Sequence, residues 1–200
     1  MTLNKLKTRF QVPAFLAAAL FVIVGCGGGG GSETATPSSN TGTVSEVAVK
    51  VSLPENIDVG TLKAFTSLGG TDVSTEGEVT VKGPGTNPFL VIVKSGDTPV
   101  AMSLVLPDRD DNEVSCLDTT VALLLFRTGL TAAPDRFMGD LVDEIKGIPA
   151  VNDMARAICT ALESDIKAVV EPDRALGSFL FAAEEAVRDH LLLLSGTSPS

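Results

Sequence analysis

The apolar residues of the chain change their period near its middle. From Val44 to Leu106 apolar and polar residues alternate, a pattern that predicts β-strands with one buried face. The run from Phe89 to Val93 is apolar throughout, which predicts a central strand covered on both faces. Turn-rich pieces separate about five to seven such segments, so we predict an antiparallel β-sandwich over residues 44–107. Two strands have four residues each on the predicted buried face: Val47, Val49, Val51 and Leu53, then Val100, Met102, Leu104 and Leu106.

From Asp118 onward the apolar residues follow a helical period, which predicts about four helices over residues 118–196. Asp118 or Thr119 is the expected N-cap of the first helix, and Gly129 is its expected end. Pro134 stands near the start of the second helix. The predicted apolar stripe of the second helix is Phe137, Leu141 and Ile145, flanked by Met138 and Val142. In the third helix the predicted stripe is Val151, Met154, Ala155, Ile158, Cys159 and Leu162. In the fourth helix it is Leu176, Leu180, Ala183, Val187, Leu191 and Leu194.

The two halves together predict an α+β protein, an antiparallel β-sandwich followed by a helical subdomain of about four helices. Residues 108–117 lie between the halves, contain four acidic side chains and are predicted to form an acidic linker. The helices need an apolar partner, and the predicted central strand offers one. We therefore expect Cys116 at the seam between the two halves and Cys159 on the third helix.

The first 25 residues have the pattern of a secretory signal. Lys5, Lys7 and Arg9 come first without any acidic residue, and an apolar stretch from Val12 to Val24 follows. Thirteen helical residues rise only about 20 Å, whereas a bilayer core is about 30 Å thick. A cleaved signal peptide over residues 1–25 is therefore favoured over a transmembrane helix.

The end of this apolar stretch, Ile23-Val24-Gly25-Cys26, resembles the lipobox of bacterial lipoproteins. The resemblance implies that Cys26 is the first residue of the mature chain and carries a thioether-linked diacylglycerol, usually with an N-acyl chain. Two or three acyl chains would hold the protein on a membrane stably. Gly27, in place of Asp, is similar to the pattern that directs lipoproteins of diderm bacteria to the outer membrane, facing the periplasm or the cell surface. An ordinary signal peptide with an incidental cysteine is the alternative.

Residues 26–43 are rich in Gly, Ser and Thr, and we predict a flexible tether with a root-mean-square reach of about 20 to 25 Å.

The composition of the chain narrows the range of its possible partners. Residues 1–25 hold three of the 15 basic residues and none of the 25 acidic ones, so the mature chain carries 12 basic residues and a net charge of −13. Nucleic acid is excluded as a partner of such a surface. The chain also lacks Trp and Tyr, which disfavours a carbohydrate-binding surface.

Two further cysteines, Cys116 and Cys159, remain once Cys26 is lipidated. An even number of cysteines in an exported chain predicts a disulfide, which would close a loop of about 44 residues and stabilise the fold by about 4 kcal/mol in the chain-entropy model. Two buried free thiols are the alternative.

The segment TDVSTEGEVTVKGPGTNPFLVIVKSGDTPVAMSLVLP, residues 71–107, is similar to the carboxypeptidase-regulatory-like, transthyretin-type sandwiches of exported bacterial proteins. In that family a turn rich in Asp, Gly and Thr leads into a strand and then into an apolar central strand. The family's usual Phe after the glycine turn is replaced here by Val79. The resemblance implies a folding or spacing module without catalysis of its own.

Motifs for catalysis are missing from the sequence. His190 is the only histidine, which excludes zinc sites and catalytic triads that need more than one imidazole. Asp108, Asp110 and Asn112 match the opening of a calcium loop, but the EF-hand pattern then fails because Glu113 stands where Gly is required and Thr119 where Glu is required. We predict no metal site, with a looser calcium site on these three residues as the alternative.

These observations predict a lipoprotein of the bacterial cell envelope whose folded part is a non-catalytic binding or structural module. No catalytic residues and no cofactor are assigned. The membrane is the predicted partner through Cys26, together with an unidentified protein or small apolar ligand. A carrier of small apolar ligands and a carboxylate-dependent enzyme subunit are the alternatives.

Overall fold

Seven β-strands followed by four α-helices make up residues 43–194, the part of the chain that the computed structural model describes. The residues predicted as a signal peptide, as the lipidated Cys26 and as the tether lie outside the described residues as far as residue 42. The strands are β1 (Val44–Ser52), β2 (Lys63–Thr66), β3 (Gly69–Asp72), β4 (Glu78–Pro84), β5 (Phe89–Ser95), β6 (Thr98–Val105) and β7 (Glu113–Ser115). The helices are α1 (Cys116–Thr128), α2 (Asp135–Lys146), α3 (Pro149–Ser164) and α4 (Arg174–Leu194).

The strands form one sheet in the order β4-β1-β7 and a second in the order β3-β2-β5-β6. The predicted class, a β-sandwich followed by a helical part, is confirmed. All pairs are antiparallel except β1 with β7, which run parallel. Strand β7 lies inside the segment predicted as an acidic linker, residues 108–117. Part of this segment is therefore a sheet strand that leads directly into α1.

Strand β5, predicted to be covered on both faces, lies between β2 and β6, with Phe89, Val91 and Val93 buried on one face and Leu90 and Ile92 half-buried on the other. Strand β6 shows a similar alternation. Ala101, Ser103 and Val105 are buried and pair with the inner face of β5, whereas Met102 and Leu104 are half-buried on the opposite face. Of the predicted buried face, Val100 and Leu106 are buried, whereas Met102 and Leu104 are only half-buried, so the prediction holds in part. A register shift next to Val93 and Lys94 breaks the alternation of the pair, and the helical part packs against β6.

Helix α1 begins earlier than predicted. Ser115, rather than Asp118 or Thr119, is its N-cap, because the Ser115 hydroxyl accepts a hydrogen bond from the backbone N–H of Asp118 at 3.2 Å. The same hydroxyl donates to the Asp118 carboxylate at 2.5 Å. The predicted end is confirmed, since Gly129 adopts the left-handed conformation with φ of 76°.

The buried stripe of α2 is Met138, Val142 and Ile145, one residue away from the predicted stripe at its first two positions. Phe137 is 49% exposed, so its predicted burial is wrong. The Arg136 guanidinium lies 4.6 Å from the centre of the Phe137 ring, a cation–π contact that covers part of this exposed side chain.

The remaining helices follow their predicted stripes closely. Helix α3 buries five of its six predicted residues, with Cys159 half-buried, and α4 buries its stripe as far as Val187. The stripe of α4 ends in solvent, because Leu194 is 61% exposed. Buried side chains of the strands and of the helices belong to one hydrophobic core.

Polar contacts also join the helices to the sandwich. The Asn56 side chain, in the connection after β1, donates to the backbone carbonyls of Leu162 and Glu163 at 3.3 and 3.2 Å and so satisfies the last turn of α3. The Thr119 hydroxyl of α1 accepts from the backbone N–H of Met102 at 3.1 Å, which occupies a donor on the edge strand β6. The two halves therefore form one folding unit.

Candidate functional site

Cys116 and Cys159 are joined in the structure, as the sequence predicts. Their sulfur atoms are 2.00 Å apart, and their α-carbons are 5.7 Å apart. Cys116 is the first residue of α1 and is buried, whereas Cys159 lies in the middle of α3. The disulfide therefore connects the seam between the two halves to the third helix.

A nearly buried carboxylate lies beside this disulfide at the same seam. The Asp118 side chain is 8% exposed, and its Oδ1 atom is 2.7 Å from the Lys146 Nζ atom of α2. Its second oxygen accepts the hydrogen bond from Ser115. Because both carboxylate oxygens already have partners, Asp118 is placed to hold α2 against the start of α1 rather than to exchange protons with a substrate.

A second charged pair lies close to the first. Both guanidinium nitrogens of Arg109 donate to the Asp143 carboxylate, at 2.8 and 2.6 Å. The hydrogen bonds from Arg109 hold the pKa of Asp143 below its ordinary value of 3.8, and the same bonds raise the pKa of Arg109. A small cavity of about 180 Å³ opens here, with Arg109, Asp118, Asp143 and Lys146 in its wall. Two ion pairs therefore lie in this wall, and two further carboxylates, Asp111 and Glu113, also belong to it.

We expect Asp143→Asn to remove a stabilisation that depends on pH. Because the pKa of Asp143 is lowered in the folded state, its contribution is complete above the ordinary value of 3.8 and is lost as the pH falls below that value. The Asp143 side chain is 57% exposed. The loss is therefore at most about 1 kcal/mol near neutral pH.

Urea unfolding at about pH 6 and about pH 2 measures this effect, since the two pH values lie above and below the ordinary pKa of 3.8. The matched control is Asp140→Asn, which removes one negative charge from an exposed position of the same helix. The wild type and Asp143→Asn should differ at the higher pH and coincide at the lower one. An equal difference at both values would contradict the role of the Arg109 pair.

The three calcium candidates do not converge. Asn112 uses its side-chain oxygen to accept from the backbone N–H of Leu106 at 2.8 Å, and its amide group donates to the carbonyls of Leu106 and Arg109. Asp108 and Asp110 are exposed. Among the described residues no group of three or more His, Cys, Asp or Glu is arranged to hold a metal ion. Asn112 therefore serves as a bridge that shapes the loop before β7.

The side chain of His190 links helix α4 to helix α2. Its Nε2 atom is 2.9 Å from a carboxylate oxygen of Glu144, so α4 is linked to α2. The Arg127 side chain of α1 similarly contacts Glu184 of α4, at 3.0 Å. These pairs connect neighbouring helices on the outside of the bundle.

A groove of about 720 Å³ lies between α3, the connection over residues 165–173 and the first turns of α4. Its apolar lining consists mostly of small side chains with one exposed ring: Ala157, Ala161, Ala168, Ala175, Leu176 and Phe179. Small side chains on α3 and α4 leave the space between the helices open. Phe179 is 44% exposed, so the groove presents apolar surface to solvent.

The rim of this groove is acidic. Four carboxylates and one guanidinium belong to its lining: Asp153, Asp165, Glu171, Asp173 and Arg156. Arg156 is paired with Asp153, one turn before it on α3. The Asp173 carboxylate accepts from the backbone N–H of Leu176 at 2.7 Å and so caps the start of α4. The rim therefore combines a net negative charge with an apolar floor.

Comparison with family models, with curated proteins and with solved structures finds no match to this chain. In the described part of the chain, no helix combines the length and the apolar character that crossing a membrane requires. The groove residues were not among the sites predicted from the sequence. In the sequence, Phe179 could have indicated the groove, because this aromatic residue of α4 falls outside the predicted buried stripe of the helix.

Proposed function

We propose that this protein is a lipoprotein of the bacterial cell envelope, anchored through lipid on Cys26, whose folded unit is a non-catalytic binding module. The groove between α3 and α4 is the observation that carries the binding function, because it joins an exposed apolar ring to an acidic rim. The lipobox-like residues before Cys26 support the anchoring.

The disulfide and the tether length are consistent with this location. A disulfide between Cys116 and Cys159 suits an oxidising compartment outside the cytoplasm. Seventeen residues separate Cys26 from Val44, where the first strand begins. A tether of this length and composition lets the folded unit reach partners about 20 to 25 Å from its anchor.

The side chains around the cavity of about 180 Å³ favour a non-catalytic binding module over a carboxylate-dependent enzyme. A general acid or base needs a carboxylate free to exchange a proton with a substrate. Four carboxylates line that cavity: Asp111, Glu113, Asp118 and Asp143. Asp118 and Asp143 are each held by a basic side chain, so we assign them to stability. Asp111 is exposed and Glu113 is half-buried.

A carrier of small apolar ligands is disfavoured by the exposure of the groove. Pockets for small molecules bury most of the ligand's surface. Nine of the thirteen residues that line the groove are exposed, and only Ala168 and Leu176 are buried. A small lipid in this groove would keep much of its apolar surface in water, which costs free energy in proportion to that area.

Replacement of the anchor cysteine tests the proposed location. We expect Cys26→Ser to abolish incorporation of labelled palmitate and to leave the chain uncleaved, because both the lipid attachment and the cleavage of a lipoprotein depend on that sulfur. Ser32→Ala, six residues further along the tether, is the control and should leave labelling and cleavage unchanged. Equal palmitate labelling of the wild type and Cys26→Ser would contradict the proposal.

A further inference from the structure

We infer that the α3–α4 groove binds a cationic amphipathic segment of another protein, that is, a peptide segment with basic side chains beside an apolar face. This inference rests on the proposed binding function and names the class of its partner. Two features of the groove carry it, the sign of the charge at its rim and the shape of its apolar floor.

The charge at the rim is negative and is only partly compensated. The four carboxylates face a single basic lining residue, Arg156, which is already paired with Asp153. Glu171 makes no ion pair within residues 43–194. Asp165 follows the carboxyl end of α3, where the helix dipole is also negative. A basic side chain entering from solvent would therefore meet uncompensated negative charge.

The floor favours an apolar side chain of limited size. Ala157 and Ala161 are one helical turn apart on α3, and Ala175 lies opposite them on α4, so no large side chain fills the space between the helices. Phe179 closes one side with an exposed ring that an entering apolar side chain would cover. Exposed aromatic rings at such positions contribute much of the binding free energy of protein interfaces.

The exposure of the groove favours a segment of a protein over a small molecule. A segment that lies along an open groove keeps its own polar face in solvent and buries only its apolar face. A basic polar face would then lie beside the acidic rim. The whole mature chain has a net charge of −13, so a cationic partner is also attracted at long range.

Fluorescence anisotropy with synthetic peptides tests the inference. The probe is a labelled peptide of about 14 residues, or four helical turns, with leucine on one face and lysine on the other. Two matched peptides carry glutamate in place of lysine, or serine in place of leucine. The mature lipidated protein is held in a nonionic detergent, and protein-free micelles provide the blank. We expect the lysine–leucine peptide to bind at least about 10-fold more tightly than either matched peptide.

Two phenylalanines of α4 provide a matched pair of variants. Phe179 lines the groove, whereas Phe181, which is 60% exposed on the same helix, is not part of its lining. We expect Phe179→Ala to weaken binding of the lysine–leucine peptide by about 10-fold or more and Phe181→Ala to leave it unchanged. Both side chains are largely exposed, so neither change should unfold the protein.

Two glutamates provide the corresponding test of charge. Glu171→Gln should weaken binding by about 2- to 5-fold, an effect that disappears at high salt. Glu185→Gln on α4 changes the net charge equally but lies outside the groove lining, and it should have no effect. Equal effects of the two variants would mean that the whole acidic surface attracts the peptide, which would overturn the inference.

The remaining outcomes separate this inference from the proposed function. If a labelled fatty acid or the glutamate peptide binds and is sensitive to Phe179→Ala, the groove binds a different ligand class, and only the inference fails. If Phe179→Ala changes the binding of none of the three peptides and does not change the binding of the fatty acid, the groove is not a binding site for these ligands. The inference is then overturned. The palmitate experiment on Cys26 decides the anchoring independently.

Discussion

Replacing Cys116 and Cys159 together by alanine is expected to lower the free energy of unfolding by about 4 kcal/mol, because the disulfide closes a loop whose ends are 43 positions apart in the sequence. In a domain of this size, that loss lowers the melting temperature by about 10 °C. The disulfide joins the start of α1, at the seam between the two halves, to α3. Loss of the disulfide destabilises the protein mainly because the unfolded chain gains conformational entropy. The loss of contacts in the folded state is the smaller effect.

Thermal unfolding of the mature protein with and without reductant checks this expectation. Reduced wild type and the double alanine variant should melt at similar temperatures, and reductant should leave the double variant unchanged, which controls for other effects of the reagent. A thiol titration of the denatured, non-reduced protein that found both sulfhydryls free would contradict the pairing, as would a melting temperature that reductant does not move.

Gly83→Ala is expected to cost about 1 to 3 kcal/mol, because a β-carbon at this position of β4 would overlap the ring of Phe89. Gly83 is buried and faces Phe89, which is 6% exposed, across the sandwich. The ring lies against the bare backbone of β4, and the packed core leaves it little room to move. The lack of a side chain at Gly83 therefore allows the two sheets to pack closely at this point.

Gly177→Ala is the matched control and should change stability in the opposite direction. A β-carbon at Gly177, within α4, meets nothing within 4 Å. Alanine should therefore stabilise the helix by about 0.5 to 1 kcal/mol through its higher helix propensity. Urea unfolding of both variants gives the comparison. In a Phe89→Leu background the cost of Gly83→Ala should fall, and a cost that stays the same would rule out the contact with the ring.

The sequence predicted the fold best where the apolar period was long and regular. The predicted stripe of α3 runs from Val151 to Leu162, and five of its six residues are buried in the structure. The N-cap of α1 was misplaced because the helical period was used to find the start. Ser115, a residue type favoured at the N-cap, stands directly before the helix and has Asp118 in its first turn, and this pattern marks the correct start in the sequence.

Short or irregular elements were missed for a physical reason. Strand β7 has only three residues, too few to show an alternating pattern, and it is defined by pairing with a distant strand, β1. The register shift next to Val93 interrupts the alternation of β6 between Pro99 and Ala101, and Pro99 is the residue in the sequence that could have indicated it. In α2, Arg136 partly covers Phe137, so a large apolar residue remains outside the core.

The candidate site was predictable only in part. The pairing of Cys116 with Cys159 followed from the number of cysteines and the inferred export of the chain. The groove depends on how α3 and α4 pack around the connection over residues 165–173, which has no apolar period of its own. Individual residues such as Phe179 and Glu171 gained a role only when the two helices were brought together.

Intact mass spectrometry of the protein purified from the membranes of its native cells gives the most direct test of the proposed anchoring. The proposal predicts a chain that begins at Cys26, with added mass for a diacylglycerol and usually an N-acyl group, and two hydrogens lighter than the reduced form because of the Cys116–Cys159 bond. A chain that still begins at Met1, or one whose Cys26 carries no lipid, would contradict it.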